Sequence, residues 1–282
     1  MIRFDVDGHE PSYLPDGEWE LVWADEFDGY ELDRTKWEFR LNFWGKRFDA
    51  YTDQGVILDG NSHVELHRTE RDGYYVSPQL VTGQNSFDAP KTSKGIWPLG
   101  PVTEPKFIHR YGYYECRCKF QREPDVMWSA FWLQSPSIGT TYDPAYSGIE
   151  CDIMEHFHEK DCTTGNIYGG YSKQIKEEGR VTYDLKPTED GWHTFGMDWR
   201  PDGYTGYCDG EVITDIKGKV SHVPQFIILS TEIRGYRTGH PLKVGEKMVK
   251  HTTGADGENV KVQDGFTDDA FIVDYVRVFD RK

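Results

Sequence analysis

Three carboxylates sit close together in the run Gly148-Ile149-Glu150-Cys151-Asp152-Ile153-Met154-Glu155-His156-Phe157. On a strand, residues two apart share a face. Glu150 and Asp152 therefore point one way, and Cys151 and Ile153 the other. Strict alternation turns Glu155 away from Glu150, whereas one extra residue, a β-bulge, returns it to the same face. Acids crowded on one face repel and are driven to titrate apart. Glycoside hydrolysis needs that division of labour. One carboxylate attacks an anomeric carbon while a protonated one serves the leaving oxygen, about 5–5.5 Å away when configuration is retained. Glu150 is then the nucleophile, Glu155 the general acid/base, and Asp152 the neighbour that hydrogen-bonds the nucleophile. The competing reading is a solvated acidic strand. The interleaved Cys, Ile and Met argue against it, because they make the opposite face core.

The elements that must carry this strand are legible as alternating runs between Gly, Pro, Asn and Asp punctuation. They are WELVWADEF (19–27), VELHRT (64–69), YYECRCKF (113–120), SAFWLQS (129–135), IECDIMEHF (149–157), HTFGMDWR (193–200), GYTGYCDGEVI (203–213), QFIILSTEI (225–233) and FIVDYVRVF (271–279). Asp209-Gly210 predicts a two-residue hairpin turn. Helical periodicity is weak, and the best stretch is a short one near 171–180. Many antiparallel strands in one unbroken chain predict an all-β, two-sheet antiparallel β-sandwich of jelly-roll type. No linker divides residues 1–282, so a single catalytic domain is expected, with its core at about 19–279.

Composition narrows the partners. The chain has 282 residues, a formal charge of −16, and 15% aromatic residues, with a mean hydropathy of −0.70. Disordered chains are poor in aromatics, and an acidic surface repels nucleic acid and anionic membrane. No window approaches the roughly 18 apolar residues of a membrane span. The start MIRFDVDGHEP lacks the apolar core of a signal peptide. The expectation is a cytoplasmic protein if this start is native, or a secreted one if a leader was removed. The five cysteines, Cys116, Cys118, Cys151, Cys162 and Cys208, read as free buried thiols, and a monomer is expected.

Glu150-Cys151-Asp152-Ile153-Met154-Glu155 resembles the active-site signature of glycoside hydrolase family 16, in the bulged form of its laminarinase-, agarase- and carrageenase-like members. Other stretches resemble the family in order: Ala24–Gly29, Tyr111–Arg117, Trp128–Leu133, Trp192–Phe195, Tyr207–Gly210 and Asp274–Val278. The resemblance implies a concanavalin-like jelly roll with its substrate cleft on the concave sheet. Two departures stand out. Cys151 replaces an aliphatic residue, and Asn166-Ile167-Tyr168 stands where many laminarinases carry a histidine.

The same-face residues Trp128, Ala130, Trp132 and Gln134 are then expected to face sugar, since indole rings stack on pyranose faces. Core packing is the alternative for both tryptophans. Asn166 with Tyr168, and Glu232 beside Ser230, are expected in the cleft, with Asn42 and Trp44 forming a wall. Asp274 alternates with Ile272, Val276 and Val278, so it points inward and needs a partner. The resemblance favours a structural calcium there, and a buried Arg or Lys is the alternative. The cluster HFHEKDC (156–162) suggests zinc, but no second ligand pair follows at finger spacing. Arg234, Arg237 and Lys243 read as a solvated loop that could meet an anionic sugar. The implied activity is retaining, endo-acting hydrolysis of a β-linked polysaccharide, β-1,3 or mixed-linkage β-glucan first. A β-galactan (agarase, porphyranase or carrageenase type) is second, and a non-catalytic carbohydrate-binding sandwich is the rival of another class.

Overall fold

The computed structural model describes residues 1–43, 45–86, 88, 102–171, 175–234, 243–244, 246–248, 259–261 and 269–282. Among the described residues, thirteen longer strands form the body of its two main layers. In chain order they are β1 (Trp19–Asp25), β2 (Val64–His67), β3 (Tyr74–Val81), β4 (Gly112–Lys119), β5 (Met127–Gln134), β6 (Glu150–His158) and β7 (Asp161–Tyr168), followed by β8 (Lys176–Asp184), β9 (His193–Arg200), β10 (Gly203–Cys208), β11 (Glu211–Lys217), β12 (Phe226–Ile233) and β13 (Ala270–Arg281). One sheet runs β3-β12-β5-β6-β7-β8, and short strands at 38–39, 51–52 and 69–71 add to β3. The other runs β11-β10-β9-β4-β13-β2, extended by the short strand at 56–58 beside β2, with β1 also paired to β13. This is an antiparallel jelly-roll sandwich, as the alternation predicts.

The core lies between the layers. Phe131 and Leu133 of β5, Cys151 of β6 and Leu229 of β12 meet Cys116 of β4, Phe195 and Met197 of β9 and Val276 of β13 in one buried cluster. Each such side chain contributes about 1.5–3 kcal/mol by leaving water. All five cysteines are free and buried. At the predicted hairpin, Asp209 and Gly210 have φ of 48° and 80°. Positive φ at both positions matches the twist of the flanking strands.

Among the described residues of the stretch near 171–180, where a helix was expected, 176–180 are strand: residues 176–184 form β8, which pairs with β7. Sheet pairing overrides the weak helical pattern. The described helix is instead the single turn α1 (Pro144–Ser147), whose first turn is capped by the Asp143 carboxylate accepting from Ala145 N–H at 3.0 Å.

Gly148 ends α1 at φ 73° and hands the chain to β6. A Cβ there would stand 2.2 Å from Ser135 Cβ and 2.8 Å from Val223 Cγ2. Gly148→Ala should therefore cost about 1–3 kcal/mol for a backbone, φ 73° and ψ −172°, that only glycine adopts readily, and about 1–3 kcal/mol more for overpacking. Gly73→Ala, at φ 79° with nothing within 4 Å of the added carbon, should show only a backbone cost. Chemical denaturation of both variants checks the contrast, and equal losses would contradict it.

Candidate active site

Strand β6 lies between β5 and β7. Across β5, Glu150 faces Gln134, Asp152 faces Trp132 and Glu155 faces Ala130, with a register shift between the last two pairs. The extra residue falls at Ile153-Met154. Both side chains enter the inter-sheet core, 2% and 0% exposed. Two consecutive residues on one face is what a bulge produces, and it turns Glu155 back beside Glu150. Across β7 the partners are Ile167, Gly165 and Thr163. The three carboxylates line one cleft of about 210 Å³, together with Trp128, Trp132, Phe157, Tyr171, Ser230 and Glu232.

Trp128 and Trp132 both lie on the cleft side, each buried to 6% exposure. Trp132 donates its indole N–H to Ser230 Oγ at 3.0 Å, while Trp128 packs on Phe157 with ring centres 5.6 Å apart. Glu232 is buried directly opposite Trp128. Gln134 is fully buried and donates to Glu150 Oε2 at 3.1 Å, so it addresses the carboxylate rather than open cleft.

Other expectations are corrected. Asn166 is the cross-strand partner of Cys151, which puts its side chain on the core side of the sheet. Tyr168 shares that side and packs against the core cluster. Thr163 and Ile167 face the cleft instead, because the register with β6 sets the parity of β7. Asn42 lines a neighbouring hollow of about 600 Å³ with Arg40, Asp88 and Phe226, away from the carboxylates. Trp44 and Arg237 lie outside the described residues. Lys243 is exposed, but Arg234 is no solvated loop residue. It is 3% exposed, its guanidinium lies 5.2 Å from the Trp128 ring, and it donates to the carbonyls of Pro124 and Phe157. Burial lowers its pKa to about 10, opposed by Asp125 and Glu155, so at neutral pH it remains a cation behind the cleft.

Further cleft residues carry no motif. Arg40 is buried 5.4 Å from the Trp132 ring and pairs with Asp88 at 2.5 Å. Burial pushes its pKa down most strongly of any single cause, but Asp88, by charge and hydrogen bond, together with Tyr51 and Glu232 leaves it raised. Glu177 and Arg180 of β8, 3.2 Å apart, reach the cleft across β7. Tyr171, just past the end of β7, donates its hydroxyl to Glu150. A buried arginine among aromatics, in Phe39-Arg40-Leu41-Asn42-Phe43, was the only sequence signal for any of these.

The metal expectations meet protein partners. Asp274 is buried at 5% exposure and receives Arg117 Nη1 at 2.5 Å. Arg117 of β4 is thus the basic side chain that meets this carboxylate, and a calcium ion there stays a proposal. Burial raises the Asp274 pKa, and Arg117 opposes the rise. The HFHEKDC cluster is split by the β6–β7 turn, where His158 pairs with Asp161. His156 stacks on Phe120 with ring centres 4.0 Å apart and bonds the Asp161 carbonyl at 3.1 Å. Burial lowers its pKa to about 4, so it is neutral. His193, Cys208 and Asp209 also gather their donor atoms. There Asp209 accepts from the Thr194 N–H and bonds His193 Nδ1, both at 2.8 Å, which closes the β9–β10 end.

An antiparallel sandwich that lines three carboxylates along a bulged strand, beside two tryptophans of β5, holds the groups that two-carboxylate glycoside hydrolysis uses. Residues 45–249 match glycosyl hydrolases family 16, and the chain belongs to that family. It is 24% identical to glucan endo-1,3-beta-glucosidase A1 of Niallia circulans, over 68% of this chain and 28% of that protein. It is 27% identical to the glucan endo-1,3-beta-glucosidase of Cryptopygus antarcticus, over 70% of this chain and 68% of that one. The catalytic domain of an endo-1,3-beta-glucanase (laminarinase) from Thermotoga petrophila superposes with a TM-score of 0.64 at 22% identity, covering 95% of this chain and all of that one. The chain thus spans about a quarter of the first relative's length.

The Arg117–Asp274 pair makes a direct prediction. Arg117→Leu leaves a buried carboxylate unpaired and should cost about 3–5 kcal/mol. The double variant Arg117→Leu/Asp274→Leu should recover most of that loss. Denaturant titration of both variants checks it, and a double variant no more stable than the single one would show that the pair is not what holds Asp274.

Proposed function

We propose that this chain is a retaining, endo-acting glycoside hydrolase of β-1,3 or mixed-linkage β-glucan. The observation that carries the reading is the β6 register, which puts Glu150, Asp152 and Glu155 on one face of a cleft walled by Trp128 and Trp132. Glu150 attacks the anomeric carbon as Glu155 protonates the glycosidic oxygen, giving a glycosyl-enzyme and releasing the leaving sugar with a new hydroxyl at its non-reducing end. Glu155, now ionised, takes a proton from water, which attacks the same carbon and releases Glu150 as carboxylate. Two inversions restore the β configuration. Asp152 stands between the two reacting groups and tunes the charge around them.

The substrate assignment draws on the indole walls, which suit the apolar faces of glucose rings, and on the glucanase names of the relatives. The cleft also holds Glu177 and Glu232, and such acids disfavour a densely sulfated polymer. Laminarin, mixed-linkage glucan, agarose and carrageenan assayed side by side test this. The reading expects β-glucan to be cut internally and faster than either galactan; preferential agarose or carrageenan cleavage would overturn it.

Glu150→Ser should fold and lose essentially all hydrolysis. Glu155→Ala should lose about 10²–10⁴-fold on a sugar leaving group, where the proton matters, yet keep much of its glycosylation rate on an activated aryl glycoside. Azide should then yield a β-glycosyl azide from Glu155→Ala and an α-azide from Glu150→Ser. The reverse pattern would exchange the two roles.

Trp132→Ala should raise KM more than it lowers kcat, because a stacking platform serves ground and transition states alike. A variant that unfolds with KM unchanged would make Trp132 a packing residue.

A further inference from the structure

Two side-chain donors converge on Oε2 of Glu150. The Tyr171 hydroxyl donates to Oε2, and Gln134 Nε2 donates to the same Oε2 at 3.1 Å. The other Gln134 amide hydrogen goes to the Tyr171 oxygen, closing a triangle. An amide can be turned end for end, but Gln134 Oε1 accepts from Asn85 Nδ2, which fixes the nitrogen toward Glu150. Asn85 is clamped in its turn. Its Nδ2 donates to Asp88 Oδ2 at 3.2 Å, its Oδ1 accepts from Asp88 N–H at 2.8 Å, and Asp88 holds Arg40 at 2.5 Å. Gln134, Asn85, Asp88 and Arg40 are all buried, at 0%, 1%, 3% and 7% exposure. This is a continuous polar chain from the carboxylate to an ion pair on the far side of Trp132.

We infer that Gln134 and Tyr171 are positioning residues that hold Glu150 by Oε2 and so present Oε1 to the anomeric carbon. The inference rests on Glu150 being the nucleophile. Two consequences follow from the chemistry. Donors to a carboxylate favour its ionised form, the form that attacks. When the Oε1 ester forms, Oε2 becomes its carbonyl oxygen. Donors already in place there stabilise the charge that returns as the ester breaks, so they assist deglycosylation. Tyr171 is suited to the task because burial first, and then the charge of Glu150, push its phenol well above the ordinary tyrosine range and keep it a donor.

The test uses Tyr171→Phe, which deletes one hydroxyl, and Gln134→Met, which deletes the amide at similar volume. Each is read by the pH profile of kcat/KM and by pre-steady-state release from an activated aryl β-glycoside. A hydrogen bond to a charged group is worth about 1.5–3 kcal/mol, and 1.36 kcal/mol is one pH unit. The acid limb should therefore move up by about 1 pH unit or more in either variant. A burst of aryl alcohol should appear or grow as deglycosylation slows. Asn85→Ala, which touches neither carboxylate oxygen but frees the amide to turn, should shift the limb in the same direction by less. Folded variants with an unmoved acid limb and a change in KM alone would overturn the inference and make both residues sugar contacts. Glu150→Ser measured in parallel separates the levels: if it stays active, the nucleophile assignment itself has failed. If Gln134→Met does not fold, Tyr171→Phe alone decides.

Discussion

The architecture of the site depends on one packing constraint, the burial of Ile153 and Met154 side by side. A regular strand sends consecutive side chains to opposite faces. Here both enter the same core, and the ladder to β5 skips a residue to allow it. The interrupted ladder forfeits about 0.5–1.5 kcal/mol for a hydrogen bond. Burying the second apolar side chain returns about 1.5–3 kcal/mol. Packing outweighs pairing, and the bulge persists. Its by-product is the placement of Glu155 beside Glu150 and Asp152, which no regular strand of this sequence would achieve.

That placement loads one face of β6 with negative charge, and the surroundings are arranged to bear it. Arg40 and Arg234 lie buried against the rings of Trp132 and Trp128, 5.4 and 5.2 Å from their centres, and Arg180 reaches the cleft from β8. The stacked guanidiniums serve twice, as counter-charges and as backing for the indole walls. The rest of the sandwich supplies the stability on which such a site draws. The opposite sheet contributes Phe195, Met197, Val276 and Val278 to the shared core, and the buried Arg277 pairs with Glu26 at 2.8 and 2.7 Å and ties the N-terminal segment to it through Glu10 O and Ser12 Oγ.

Much of this was legible in the sequence because it is periodic. The strands, the Asp209-Gly210 turn and the two-sheet class follow from alternation and turn chemistry. The spacing Glu150, Asp152, Glu155 implied the bulge before any coordinates. Cross-strand relations were the hard part. Asn166 and Tyr168 were given the right strand and the wrong face, because face depends on register with β6 and the β7 sequence does not contain it. The stretch near 171–180 has a weak helical pattern because its second half opens β8, an edge strand with a polar, partly exposed surface. Arg40, Asn85, Asp88 and Tyr171 come from loops and strand ends distant in sequence, and only the fold brings them to Gln134 and Glu150. Asp274, expected to point inward, is buried and meets Arg117, a contact set by packing between β4 and β13.

The central claim is that Glu150, displayed by the bulged strand, becomes covalently attached to the sugar during turnover. Incubating the protein with a 2-deoxy-2-fluoro-β-glucosyl-type oligosaccharide fluoride and mapping its peptides by mass spectrometry tests this directly. The fluorine slows both steps, while the fluoride leaving group lets the first proceed, so the intermediate accumulates. The account predicts one glycosyl adduct, located on Glu150 within the peptide that contains Cys151 and Asp152. An adduct on Glu155 or on a residue outside β6 would contradict it.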